Sequence, residues 1–165
     1  SRAGVPRDQR VLDALFPAAA ATVDSFYSQS ARRNDSLSAP AFRNAMAFER
    51  AFVAAGGLLG AGSDPCCLSA IAGYADQRNF ELLVEAGFTA EQAFQIMTAN
   101  GAKILGIEAR VGTIAPGKEA DLLVIRGDPT ADPSAIRKIV TVFKRGVGFD
   151  SAKLIESIKG QVGLR

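Results

Sequence analysis

Residues suited to chemistry are few in this chain. It has no histidine and only two cysteines, the neighbours Cys66 and Cys67. Without histidine, these residues cannot build Ser-His-Asp or Cys-His catalysis, histidine zinc sites or histidine general bases. Two cysteines fall short of a structural zinc site, and a bridge between neighbours is strained. They read as two reduced thiols beside a loop. Carboxylates remain. Asp64 follows a short apolar run, Leu58-Leu59-Gly60-Ala61, expected to be a buried strand between two helices. In α/β folds, ligands gather at the carboxyl ends of strands, where side chains face an open crevice. Asp64 is therefore a candidate metal ligand or general base. An aspartate in that place also serves as a turn former or helix cap.

The other candidates read as structural. Asp76 is the nearby second carboxylate, and its position suits a helix cap. Asp121 and Asp128 flank a strand and read as edge or turn residues. Arg78 and Glu81, three apart on a helix, are expected to form a solvated pair. Lys103 near a helix end suits the helix dipole. Gly60-Ala61-Gly62 starts like a dinucleotide fingerprint, but the third glycine would fall at Pro65 and the pattern fails.

The elements that must position these groups change character along the chain. Ala18 to about Ser30 reads as a helix, and Arg32-Arg33-Asn34-Asp35 as a polar loop. Asn34-Asp35-Ser36 matches a glycosylation sequon, a pattern common by chance. Ser38 can cap a helix with Pro40 in its first turn. Its apolar residues are Phe42, Ala45, Met46, Phe52 and Val53, and Gly56-Gly57 ends it. Pro65 stops the apolar run after Asp64, and Leu68 to Gly73 forms a loop of small residues. A helix from about Asp76 to Ala86 buries Phe80, Leu83 and Val84, with Gly87 closing it. Thr89-Ala90-Glu91-Gln92 is a capping box opening a further helix, which Asn100-Gly101 breaks or recaps before an end near Gly106.

From there the pattern is β. Val111 to Ile114 and Ile139 to Phe143 read as strands, and Ala120 to Ile125 as a buried strand. Ala115-Pro116-Gly117-Lys118 and Gly127-Asp128-Pro129 are turns. Arg145-Gly146 is expected to turn a hairpin into Val147-Gly148-Phe149, and Ser151 to Lys159 to form an amphipathic helix.

Composition bounds the function further. The 165 residues fit one domain, or one domain with a small appendage. Nineteen basic and 17 acidic residues leave a net charge of +2, too balanced to point to nucleic acid or an anionic membrane. An apolar share of 48% is enough for a core. No apolar run approaches the ~18 residues of a membrane span. Ser1-Arg2-Ala3-Gly4 lacks the apolar core of a signal peptide. The compartment stays open between cytoplasm and periplasm.

Several segments together resemble one family. They are Gly62-Ser63-Asp64-Pro65, Ala72-Gly73-Tyr74-Ala75-Asp76-Gln77-Arg78, Glu81 to Thr89 and Thr98-Ala99-Asn100-Gly101-Ala102. The most specific is Gly112-Thr113-Ile114-Ala115-Pro116-Gly117-Lys118-Glu119-Ala120-Asp121-Leu122-Leu123-Val124-Ile125. Across residues 40 to 160 the chain resembles the C-terminal part of the amidohydrolase superfamily, in particular its imidazolonepropionase-like and prolidase-like metal-dependent hydrolases.

The resemblance implies an α/β fold, a (β/α)8 TIM barrel with a small β-sandwich. Residues 1–106 would be the last strands and helices of the barrel, 107–150 the C-terminal strands of the sandwich, and 151–165 a C-terminal helix and tail. It implies hydrolysis of amide or related C–N bonds at a one- or two-metal centre, usually zinc. By motif match, Asp64 is the aspartate at the end of the eighth barrel strand. It would bind metal and carry the proton from the attacking water to the leaving group.

The departure from the family is the missing histidine ligands, the His-x-His pair among them. A catalytic zinc takes about three protein ligands, so the chain alone is expected to be incapable of the reaction. With Ser1 first instead of Met, it is expected to be a trimmed or cloned piece. Exposed strand edge and apolar surface should make it associate with the rest of its own barrel or with a second copy of itself. Its small-molecule partner would be an amide substrate; no nucleic acid and no membrane are expected. The competing readings are a non-catalytic binding or assembly module derived from such an enzyme, and an enzyme using carboxylates alone, with Asp76 beside Asp64.

Overall fold

A computed structural model describes residues 7–32, 38–64 and 71–163. The loop residues 33–35, the sequon, Pro65, Cys66, Cys67 and residues 68–70 lie outside the described residues. Three helices come first: α1 (Gln9–Ala14), α2 (Pro17–Arg32) and α3 (Ser38–Ala54). Asp8 caps α1 by accepting from the Arg10 backbone N–H at 3.0 Å. Val11, Leu12, Ala14 and Leu15 pack with Ala19, Val23 and Tyr27 of α2 and with Tyr74 into one apolar cluster. The C-terminal tail returns to this cluster: Phe16 N–H donates to the Val162 carbonyl at 2.8 Å, and Val162 N–H to the Ala14 carbonyl at 2.9 Å.

The helix α3 forms where Ser38 and Pro40 predict it, but its apolar face is not buried. Phe42 and Phe52 are 40% and 41% exposed, and only Met46 and Val53 of the expected stripe are half-buried. Helical spacing defines a face; burial needs a neighbour to cover it.

A second cluster lies around α4 (Tyr74–Glu85) and α5 (Ala90–Gln95). Phe80 is fully buried, its ring centroid 4.5 Å from that of Phe94, among Leu83, Phe88, Ala93, Ile96 and Ile136. Burying a side chain of that size stabilises by ~2–3 kcal/mol. The Thr89 hydroxyl accepts from Gln92 N–H at 3.2 Å, and the Gln92 side chain accepts from Thr89 N–H at 2.9 Å. That is the reciprocal cap expected.

Asn100-Gly101 does not break this helix. Ile96–Asn100 instead forms a π turn, and α6 (Gly101–Ile104) continues from it. Asn100 and Gly101 both keep helical dihedrals, so one extra residue is absorbed and the axis runs on.

The β part is a three-stranded antiparallel sheet in the order β1 (Leu122–Ile125), β2 (Ile139–Lys144), β3 (Val147–Asp150). Arg145 and Gly146 turn the β2–β3 hairpin with φ of 50° and 81°, the left-handed pair that suits strand twist. Asp121 secures the turn, accepting from Lys144 Nζ at 2.5 Å and from Arg145 N–H at 2.8 Å. Asp128 forms a local turn with the Thr130 N–H and hydroxyl. Asp150 caps α7 (Ser151–Ile158) by accepting from Lys153 N–H.

Three strand expectations are corrected. Leu58–Ala61 is not in a ladder, and among the described residues no strand pairs with it. Val111–Ile114 is a series of bends, drawn in by Lys118 Nζ, which donates to the Glu108 carbonyl and the Thr113 hydroxyl at 2.6 Å each. The strand within Ala120–Ile125 is not buried: Leu123 and Val124 are 52% and 46% exposed. An apolar run marks a strand only where a partner edge and a covering layer exist.

Candidate functional site

The segment carrying Asp64 leaves α3 through Gly56 and Gly57 and runs without regular structure to Asp64. Leu59 and Ala61 pack against the Phe80 cluster, while Leu58 stays 40% exposed. This alternation is that of an extended chain lying on a core. The segment crosses the helix near Gly101: a Cβ at Gly60 would stand 2.7 Å from Ile104 Cδ1 and 4.0 Å from Gly101 Cα. Glycine is what allows that approach. The Asn100 side-chain amide donates to the Leu59 carbonyl at 2.8 Å across 41 positions. Spacing along the chain gave no sign of that contact, although Asn100 stands in one of the segments behind the family resemblance.

Asp64 ends the segment. Its side chain is exposed and its φ is +38°, a left-handed conformation that aspartate tolerates better than most residues. Among the described residues no group of three or more His, Cys, Asp or Glu side chains is placed to hold a metal. With no histidine in the sequence, the residues at hand do not by themselves fit a catalytic zinc centre, and Asp64 can offer one carboxylate. Asp76 accepts from Gly73 N–H at 3.0 Å at the start of α4. That bears out its reading as a helix-terminal residue.

Among the described residues, the largest charged cluster lies elsewhere, and helical spacing alone understates it. Glu81 is 11% exposed, so it is not the solvated partner of Arg78 that its spacing suggested. It takes a forked pair of hydrogen bonds from Arg137 Nε and Nη2, at 2.5 and 2.7 Å, and one from Arg78 at 3.0 Å. Arg137 also lies 3.6 Å from Asp8, which pairs with Arg10 at 2.6 Å. Arg10 in turn donates to Gln77 at 2.8 Å. Burial pushes the Glu81 carboxyl up, but the hydrogen bonds and charges of Arg137 and Arg78 outweigh it and hold its pKa below the ordinary glutamate range. Asp8 behaves alike, with burial opposed and outweighed mainly by Arg10. The cluster ties α1, α4 and the 3-10 turn Pro133–Arg137 together; its groups are occupied with one another.

Comparison with known proteins places this architecture. The Amidohydrolase family model matches residues 36–148, which is most of the chain, and the chain belongs to that family. Among solved structures, it is similar to a prolidase from Bifidobacterium longum at 33% identity and a TM-score of 0.55, covering 66% of this chain and 28% of that one. A Xaa-Pro dipeptidase with methionine in its active site aligns at 25% identity and a TM-score of 0.58, covering 86% of this chain and 34% of that one. Guanine deaminase of Escherichia coli (strain K12) is 47% identical over 45 residues, 27% of this chain and 10% of that protein. The chain thus spans about a third of these structures or less, and a tenth of the deaminase. These neighbours imply that it covers part of a TIM-barrel-type fold, here seen as helices with a small sheet.

Proposed function

We propose that this chain supplies the C-terminal portion of a hydrolase acting on C–N bonds, with Asp64 as its working carboxylate. The observation that carries the reading is the family match, which runs through Asp64 and the segment that presents it. The hydrolases and the deaminase among its relatives support C–N chemistry. In this reading residues 1–106 belong to the barrel, with Leu58–Asp64 in the place of its last strand. Residues 107–150 contribute to a small sandwich, and 151–165 form a closing helix and tail. The metal, zinc in the usual case, would be held mainly by side chains outside these 165 residues, supplied by the rest of the barrel. Asp64 has the chemistry of a proton carrier: an exposed carboxylate can accept a proton from water and return it to a leaving amine. The chain alone is inactive in this reading. The exposed Phe42, Phe48 and Phe52 of α3 support the expectation that it associates.

The test is to read the coding sequence upstream of Ser1, express the frame it encodes, and assay dipeptides, N-acyl amino acids and cyclic amides. Hydrolysis that falls by about 100-fold or more in Asp64→Asn supports the reading, the size expected of a lost proton carrier. Hydrolysis unchanged by that substitution overturns it. A start codon immediately before Ser1, with no hydrolysis, favours the non-catalytic binding module.

A further inference from the structure

We propose that Asn100 is a positioning residue for the segment that carries Asp64, and that the π turn aims its side chain there. The inference rests on the reading of Asp64 as the working carboxylate.

Three observations converge. First, Leu58–Asp64 lies in no ladder, so the backbone groups that a strand would pair are left to other partners. Among the described residues, the hydrogen bond from this segment to the rest of the chain is Asn100 Nδ2 to the Leu59 carbonyl, at 2.8 Å. Second, Asn100 is the last residue of the π turn Ile96–Asn100. A π turn absorbs one residue and so rotates the next turn of helix by about 100° relative to an unbroken α-helix. It thereby sets which way Asn100 and Gly101 face. Third, the helix surface beside Asn100 is shaped to receive the segment. Gly60 sits against Ile104 and near Gly101, so the main chain comes close enough for a side chain as short as asparagine to reach a carbonyl. Leu59 and Ala61 anchor the same stretch in the Phe80 cluster. The carboxylate at its end is exposed, with a left-handed backbone. Its direction is therefore set by where the preceding five residues are held.

Amide exchange and chemical shifts, measured by NMR on the 165-residue chain, test this. The Asn100 side-chain amide protons should be shifted and slow to exchange, as bonded donors are. Asn100→Ala and Asn100→Asp both remove the donor. Each should move the Leu59 carbonyl-carbon resonance upfield, as for a carbonyl that loses its hydrogen bond, and shift the 60–64 amide resonances. Alanine is the better helix former, so the 90–104 amides should hold or gain protection in Asn100→Ala. Asn100→Gln, which keeps an amide donor, should recover part of the shift. Gly60→Ala should shift the same resonances with Asn100 in place, and covers the case of an Asn100 variant that fails to fold. Unchanged Leu59 carbonyl and 60–64 amide resonances in both donor-free variants would overturn the proposal. So would losses of protection spread evenly over 90–104, which mark a role in the helix alone. Asp64→Asn should leave the Leu59 carbonyl resonance as it is, so failure of the carboxylate's role in hydrolysis reads out separately.

Discussion

The Glu81 carboxylate receives the Arg137 guanidinium as a fork, at 2.5 and 2.7 Å, across 56 positions of sequence. Glu81 is on α4 and Arg137 ends the 3-10 turn before β2, so this pair joins the helical part to the sheet. Beneath it, Ile136 and Ile125 enter the same apolar cluster as Phe80. Glu81→Gln leaves two guanidinium groups with a weaker acceptor in a largely buried place. We expect a loss of ~1–3 kcal/mol, measured by denaturant unfolding. Restoring stability by pairing Glu81→Gln with Arg137→Met would show that the cost lies in the unpaired charge.

The same cluster sets an acid limit. Glu81 and Asp8 both have folded-state pKa values below their ordinary 4.5 and 3.8. A depressed carboxylate contributes stability that is complete above its unfolded value and disappears as pH falls through its folded one. Thermal midpoints should therefore be level above about pH 5 and fall progressively below the ordinary carboxylate values. Glu81→Gln should flatten part of that fall. A slope of the same steepness in the variant would remove Glu81 from the account.

The helix that holds Asn100 depends on its reciprocal cap. Thr89→Ala removes the acceptor for Gln92 N–H and should cost about 1 kcal/mol, whereas Thr89→Ser should cost far less. Unfolding midpoints of the two variants check the difference.

Legibility in the sequence tracks the range of each interaction. The Thr89–Gln92 cap and the Arg145–Gly146 turn are set within four residues, and both stand where spacing places them. Leu58–Ala61 has the composition of a strand, but a ladder needs a second chain segment, and none is paired with it among the described residues. Phe42 and Phe52 have helical spacing, but nothing covers them enough to bury them. At the candidate site, the motif around Asp64 is legible. The Asn100–Leu59 contact is not, because it depends on a π turn and on a partner 41 positions away. Glu81 is misjudged from spacing for the same reason: its nearer partner, Arg78, is visible there, and Arg137 is not.

The central claim is that Asp64 is one carboxylate of a C–N hydrolase site that these residues do not complete. Its most direct test is zinc titration of the pure 165-residue chain by calorimetry, with amide hydrolysis followed on the same sample. The account predicts no tight one-to-one zinc binding, no turnover, and an Asp64→Asn variant that folds and behaves as the wild type. Tight stoichiometric binding with turnover, both lost in Asp64→Asn, would contradict it.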